Sequence, residues 1–112
     1  MVRKELDMAD QRVMLVGVPG LSTTLFMEDL KSTAQQQGHS YEISIVSTDQ
    51  LADALPEVQP EVVLALPMVA YQWDTINQIL DQQDLPGALL DVQEFKHIQQ
   101  EKLVNLVENL TA

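Results

Sequence analysis

The sequence predicts an α/β fold: a four-stranded parallel sheet flanked by helices on both faces, in three α/β/α layers. Three observations predict it. Short apolar runs alternate strictly with longer stretches of helical periodicity. Two of the runs, Val13 to Val16 and Val62 to Leu66, are apolar throughout, as in strands covered on both sides. The chain has 112 residues, enough for one core and too few for two ordinary ones.

Residues 1–11 read as a polar lead-in and 12–112 as a single α/β domain. Arg12 to Val16 is the first strand, and Gly17 to Gly20 a turn. Leu21 to Gln37 reads as a helix with Leu21, Leu25, Phe26, Leu30 and Ala34 on its apolar side, and Gly38 stops it. Tyr41 to Val46 alternates apolar and polar residues, which suggests an edge strand with one wetter face. Thr48 is placed to cap a short helix from Asp49 to Leu55, ended by Pro56. Glu61 to Leu66 is the third strand, and Pro67 ends it. Val69 to Gln83 carries Val69, Trp73, Ile76 and Leu80 on one helical stripe. A brief fourth strand spans Ala88 to Leu90. The Asp91-Val92-Gln93-Glu94 pattern of a capping box then opens a last helix reaching Leu110.

Composition narrows the function. With a net charge of -11 the surface repels nucleic acid and anionic membrane, so no nucleic-acid partner is expected. No cysteine is present, which removes disulfides, thiolate metal sites and thiol nucleophiles. No apolar stretch approaches membrane-spanning length and the N-terminus lacks a secretory pattern, so a cytoplasmic protein without direct membrane insertion is expected. No cofactor is implied.

In a doubly wound sheet, ligands bind beyond the carboxyl ends of the strands, where the strand order reverses. Two segments fall there. The first, Gly17-Val18-Pro19-Gly20-Leu21-Ser22-Thr23-Thr24, has the layout of an anion-cradling turn leading into a helix N-terminus. The second is Leu66-Pro67-Met68-Val69-Ala70-Tyr71. Together they resemble the IIB component of the lactose/cellobiose class of the bacterial sugar phosphotransferase system (PTS). In that family the first strand ends in a Cys, followed by a small-residue turn, a Gly, an apolar residue and a Ser-Thr-Ser run. A Gly-Pro-Gln-hydrophobic-Ala-Tyr motif follows its third strand. The likeness covers about residues 12 to 110.

The resemblance implies a four-stranded parallel fold and a phosphoryl relay, in which the family Cys receives phosphate from a IIA partner and passes it to sugar held by a IIC partner. Three departures bear on that chemistry. The family nucleophile position is Gly17, which has no side chain to phosphorylate. Pro19 removes a backbone donor from the turn, and Met68 replaces the Gln of the second motif. The expectation is therefore a IIB-like component without phosphoryl-acceptor activity and with no catalytic residue. It would bind IIA or IIC components, or a PTS-linked regulator.

An anion-binding loop of Gly17, Val18, Gly20, Leu21, Ser22, Thr23 and Thr24 is expected; ordinary helix capping by Ser22 or Thr23 is the simpler alternative. Pro67, Met68, Val69 and Tyr71 read either as a second loop and partner surface or as continued core. Two further functions stay open. One is an active phosphotransferase using Ser22 or Thr23, although no base is adjacent in sequence. The other is a small-anion binding protein, although the turn lacks the Gly-Lys-Ser/Thr ending of a P-loop. His97, with Glu94 and Glu101 on one helical face, has metal-ligand spacing but reads as a surface ion pair, and no metal is expected. His39 falls in a loop after Gly38.

Overall fold

The computed structural model describes residues 11–95 and 100–111. Residues 1–10 of the lead-in, His97 at the centre of the metal-binding triplet, and the Glu94 side chain of that triplet and of the expected capping box lie outside these residues. The elements run β1 (Gln11–Val16), α1 (Leu21–Gln36), β2 (Tyr41–Val46), α2 (Thr48–Val58) and β3 (Val62–Ala65). A 3-10 segment (Pro67–Gln72), α3 (Trp73–Gln82), β4 (Gly87–Leu89), α4 (Val92–Phe95) and α5 (Gln100–Thr111) complete the order. The strands pair in parallel in the order β2-β1-β3-β4, so β2 is an edge, as its alternation implied.

β1 lies at the centre, and its residues alternate between two cores. Val13 and Leu15 pack with Phe26, Leu30 and Ala34 of α1 and with Leu103, Val104 and Val107 of α5. Met14 and Val16 pack on the other face with Leu51 and Leu55 of α2 and Ile76 and Leu80 of α3. β3 repeats the division, with Val62 and Leu64 on the first face and Val63 and Ala65 on the second. Each large aliphatic side chain buried this way contributes about 1.5–3 kcal/mol. The layers are therefore α1 and α5, the sheet, then α2 and α3.

Several local expectations are corrected. β1 takes in Gln11, one residue earlier than the lead-in allowed. α2 runs through Pro56 to Val58 and ends at Gln59, which adopts a left-handed conformation. Proline removes its own amide from the ladder and its ring crowds the carbonyl four residues back; with Pro56 in the last turn, the helix still reaches Val58. Ser47, not Thr48, caps α2: its hydroxyl accepts from the Gln50 amide at 3.3 Å, while Gln50 Oε1 accepts from the Ser47 amide at 3.1 Å. The segment after β3 is not one helix. Val69 leaves helical geometry (φ -112°, ψ 18°), and the regular helix begins at Trp73. Leu21 and Leu25 lie exposed on the outer side of α1 rather than on its buried stripe, where Thr23 takes the place beside Phe26.

Candidate functional site

The carboxyl ends of β1, β2 and β3 open into one cleft of about 230 Å³. It is lined by Gly17, Val18 and Pro19 after β1, by Ser47, Thr48 and Asp49 after β2, and by Val69, Tyr71 and Gln72 after β3. The order β2-β1-β3-β4 reverses between β1 and β3, so the cleft sits at the topological switch point.

Gly17 forms its floor. Its amide donates to the Val46 carbonyl of β2 at 3.0 Å, and the neighbouring Val16 carbonyl accepts from the Leu66 amide at 2.9 Å. Sheet pairing thus extends to the base of the turn on both sides, and Gly17 is buried. A β-carbon there would lie 2.9 Å from Leu66 Cδ1 and 3.2 Å from Met68 Sδ. The space in which a side chain would begin is already occupied by two apolar ones.

The hydroxyl-rich run after the turn divides. Thr23 is buried, and its hydroxyl donates to the Val18 carbonyl at 2.8 Å. That bond ties the first turn of α1 back onto the loop. Gly20 is the residue before the helix and carries no side-chain cap bond, so neither Ser22 nor Thr23 caps α1. The Gly20 carbonyl accepts the first helical bond, from Thr24, leaving the amides of Leu21, Ser22 and Thr23 without helical partners, as at any helix start. Gly20, Leu21, Ser22 and Thr24 are exposed but lie outside the cleft lining. Of the expected loop, Gly17 and Val18 meet in the cleft and the hydroxyls do not.

The second expected segment also divides. Leu66 and Val69 are buried, so part of it continues the core. Met68 is half-buried and packs against both cores. Tyr71 is 83% exposed and stands at the rim. Trp73 is half-buried against the α2/α3 core.

Ser47, Thr48, Asp49 and Gln72 were missed from sequence. The signal was available: in a parallel sheet the residues after β2 emerge at the same edge as those after β1 and β3. Asp49 is the one charged side chain lining the cleft. His39 lies elsewhere, beside the start of β2 at the opposite end of the sheet, with Nδ1 3.6 Å from Glu108 Oε2. Among the described residues, no helix is long and apolar enough to cross a membrane.

No family model matches the chain. Two curated proteins resemble it over nearly its full length. One is the galactose-specific EIIB component of a PTS from Lactococcus lactis subsp. cremoris, and the other the cellobiose-specific EIIB component from Lactococcus lactis subsp. lactis. Each is 26% identical over 106 residues, covering 92% of this chain and 98% of the relative. Among solved structures, the lactose-specific IIB domain of Streptococcus pneumoniae shares the fold with a TM-score of 0.76 at 9% identity, over 91% of this chain and 98% of that one. The cellobiose-specific IIB component of Borrelia burgdorferi does so with a TM-score of 0.72 at 18% identity, over 90% and 91%. In sequence along nearly its whole length, and in fold, the chain is similar to the lactose/cellobiose-type IIB components of sugar phosphotransferase systems.

Proposed function

We propose that this IIB component has no phosphoryl-acceptor activity and acts in the cytoplasm by binding partner proteins. Those partners are IIA or IIC components, or a regulator that responds to the state of the transport system. The observation that carries the reading is Gly17. At the position where the resemblance places a thiol there is no side-chain atom, and Leu66 and Met68 fill the space where one would start.

The surroundings support it. Pro19 offers no amide to the turn, and Asp49 brings a negative charge to a cleft lined by no cation. A phosphoryl group entering there meets a carboxylate and gains no compensating charge. The anion-binding role of the Gly17–Thr24 loop is correspondingly weakened, although the first amides of α1 stay available as donors. Relay through Ser22 or Thr23 finds little support: the Thr23 hydroxyl is buried and engaged with Val18, and Ser22 lies outside the cleft lining.

The test is incubation of the full chain with a phosphorylated IIA protein carrying labelled phosphate. The expected result is no label on this chain, together with measurable binding of the IIA protein. Acid-stable label on Ser22 or Thr23 would establish the relay reading instead. Binding of inorganic phosphate alone at the Gly17 turn, with no protein partner, would favour a small-anion binder.

A further inference from the structure

The two lateral edges of the sheet are guarded differently. β4 is three residues long and follows Pro86, which has no amide to offer a neighbouring strand. β2 is six residues long, contains no proline, and pairs with β1 in unbroken register from Tyr41 to Val46. The amides of Gln11 and Gly17 donate to the carbonyls of Ser40 and Val46. The even-numbered residues of β2 therefore turn their backbone groups toward β1, and Ile43 and Ile45 turn theirs away from the sheet. The Ile43 and Ile45 side chains pack on the α1/α5 core yet stay partly exposed, whereas Val13 to Val16 of β1 are buried. What separates the two strands is a missing neighbour on the outer side of β2.

We propose that the outer edge of β2 pairs with β2 of a second copy of this chain, antiparallel and about a two-fold axis at Ser44. Three observations favour that occupant. The backbone pattern is self-complementary: Ile43 of each strand meets Ile45 of the other, and each such pair exchanges both of its N–H···O bonds. Ser44 falls on the axis as a non-hydrogen-bonded pair, where strands approach most closely and a small side chain fits. Its hydroxyl has no hydrogen-bond partner among the described residues, and rotation about χ1 carries it toward its mate. The charges also agree. Glu42 is the one charged residue of β2, and Arg12 of β1 lies beside it, with Nε 3.6 Å from Glu42 Oε1. In this register the two Glu42 residues stand about 14 Å apart along the strands. That exceeds the screening length of about 8 Å at physiological salt. A register centred on Ile43 would bring them to about half that separation. The edge therefore meets its copy without opposed charges, although the whole chain carries -11. The contact is one strand wide, so the dimer is reversible rather than permanent. The proposal goes beyond the binding reading above and does not rest on it.

The experiment is sedimentation equilibrium of the full chain over a range of concentrations, with amide hydrogen exchange reporting where the copies meet. The average mass is expected to rise reversibly with concentration. The Ile43 and Ile45 amides should exchange at least about tenfold more slowly in concentrated than in dilute protein, and the Ser44 amide, which faces β1, should change less. Raising salt from about 20 mM to about 300 mM should tighten the dimer about threefold or more, because it screens the repulsion between two chains of like net charge. Ile45→Lys should weaken the dimer at least about tenfold by setting a charge on the edge, with circular dichroism checking the fold. A second variant needs no new charge. The chain has no cysteine, so Ser44→Cys puts a lone thiol on the axis. Opposed residues of a non-hydrogen-bonded pair have Cα atoms about 4.5 Å apart, a distance a disulfide spans. Under mild oxidation Ser44→Cys should form a linked dimer at least about tenfold faster than Glu42→Cys, whose mate lies out of reach.

Three outcomes overturn the proposal. One is a chain that stays monomeric at about 1 mM, which puts any dissociation constant above the millimolar range. A second is a dimer in which exchange at Ile43 and Ile45 is independent of concentration, which places the contact elsewhere. A third is cross-linking of Glu42→Cys as fast as that of Ser44→Cys, which excludes a two-fold axis at Ser44. No phosphate and no partner protein enter these measurements. Their failure is therefore distinct from a failure of the no-relay reading, which phosphorylation of the chain would reveal.

Discussion

Leu66 Cδ1 lies 2.9 Å from the point at which a β-carbon on Gly17 would sit. The two residues follow adjacent strands, and a side chain at position 17 would require the Leu66 side chain to shift. Gly17→Ala is therefore expected to destabilise the fold by about 1–2 kcal/mol through overpacking. The Leu66 side chain is flexible at its far end, so the cost should fall in a Leu66→Val background, where that end is shortened. Urea denaturation of the four members of the double-mutant cycle measures the coupling. An equal cost of Gly17→Ala in both backgrounds would show that Leu66 is not what resists the side chain.

The Thr23 hydroxyl tethers the start of α1 to the turn, since it donates to the Val18 carbonyl at 2.8 Å. Thr23→Val keeps the shape and removes the donor. Stability should fall by about 1 kcal/mol, the usual net value of such a bond. Thr23→Ser should keep most of that stability while losing only a methyl group. Thermal denaturation of the pair separates the hydrogen bond from the packing, and a Val variant as stable as wild type would remove the tether.

Ser47 and Gln50 hold the start of α2 by two reciprocal bonds, and that start forms one wall of the cleft. Ser47→Ala should cost about 1 kcal/mol. Gln50→Ala should cost less, and the double variant less than the sum, because each bond helps to place the other residue. Hydrogen exchange at the Gln50 amide should accelerate in Ser47→Ala. Unchanged exchange there would mean that the cap contributes nothing to holding this wall.

The layering was legible because periodicity reports burial directly. Val62-Val63-Leu64 is apolar on both faces, and β3 is covered on both faces. Tyr41 to Val46 alternates, and β2 is an edge. What failed were inferences that depend on where an element is cut or which neighbour covers it. Pro56 looked like a stop, but it falls in the last turn and α2 outlasts it by two residues. Leu21 and Leu25 fit a helical stripe, yet the sheet meets α1 through Thr23, Phe26 and Leu30, so both leucines face solvent. The cleft was only half visible, because Gly17 and Tyr71 sit in recognisable segments. Ser47, Thr48 and Asp49 form an unremarkable helix start that only the parallel register brings beside them.

Two glycines make the last prediction, because their surroundings are opposite. A β-carbon on Gly87 would lie 2.9 Å from the Val63 carbonyl oxygen, and closer still to Leu80 Cδ1. The carbonyl belongs to the backbone of a central strand and cannot move aside. Gly87→Ala is therefore expected to cost about 2–3 kcal/mol or more, at the upper end for overpacking. Gly20 meets nothing within 4 Å, and its backbone is extended at φ 162°, a conformation open to any residue. Gly20→Ala should change stability by less than about 0.5 kcal/mol. Chemical denaturation of both variants checks the contrast. A Gly20→Ala variant as damaged as Gly87→Ala would mean that the turn before α1 is more tightly constrained than its open surroundings imply.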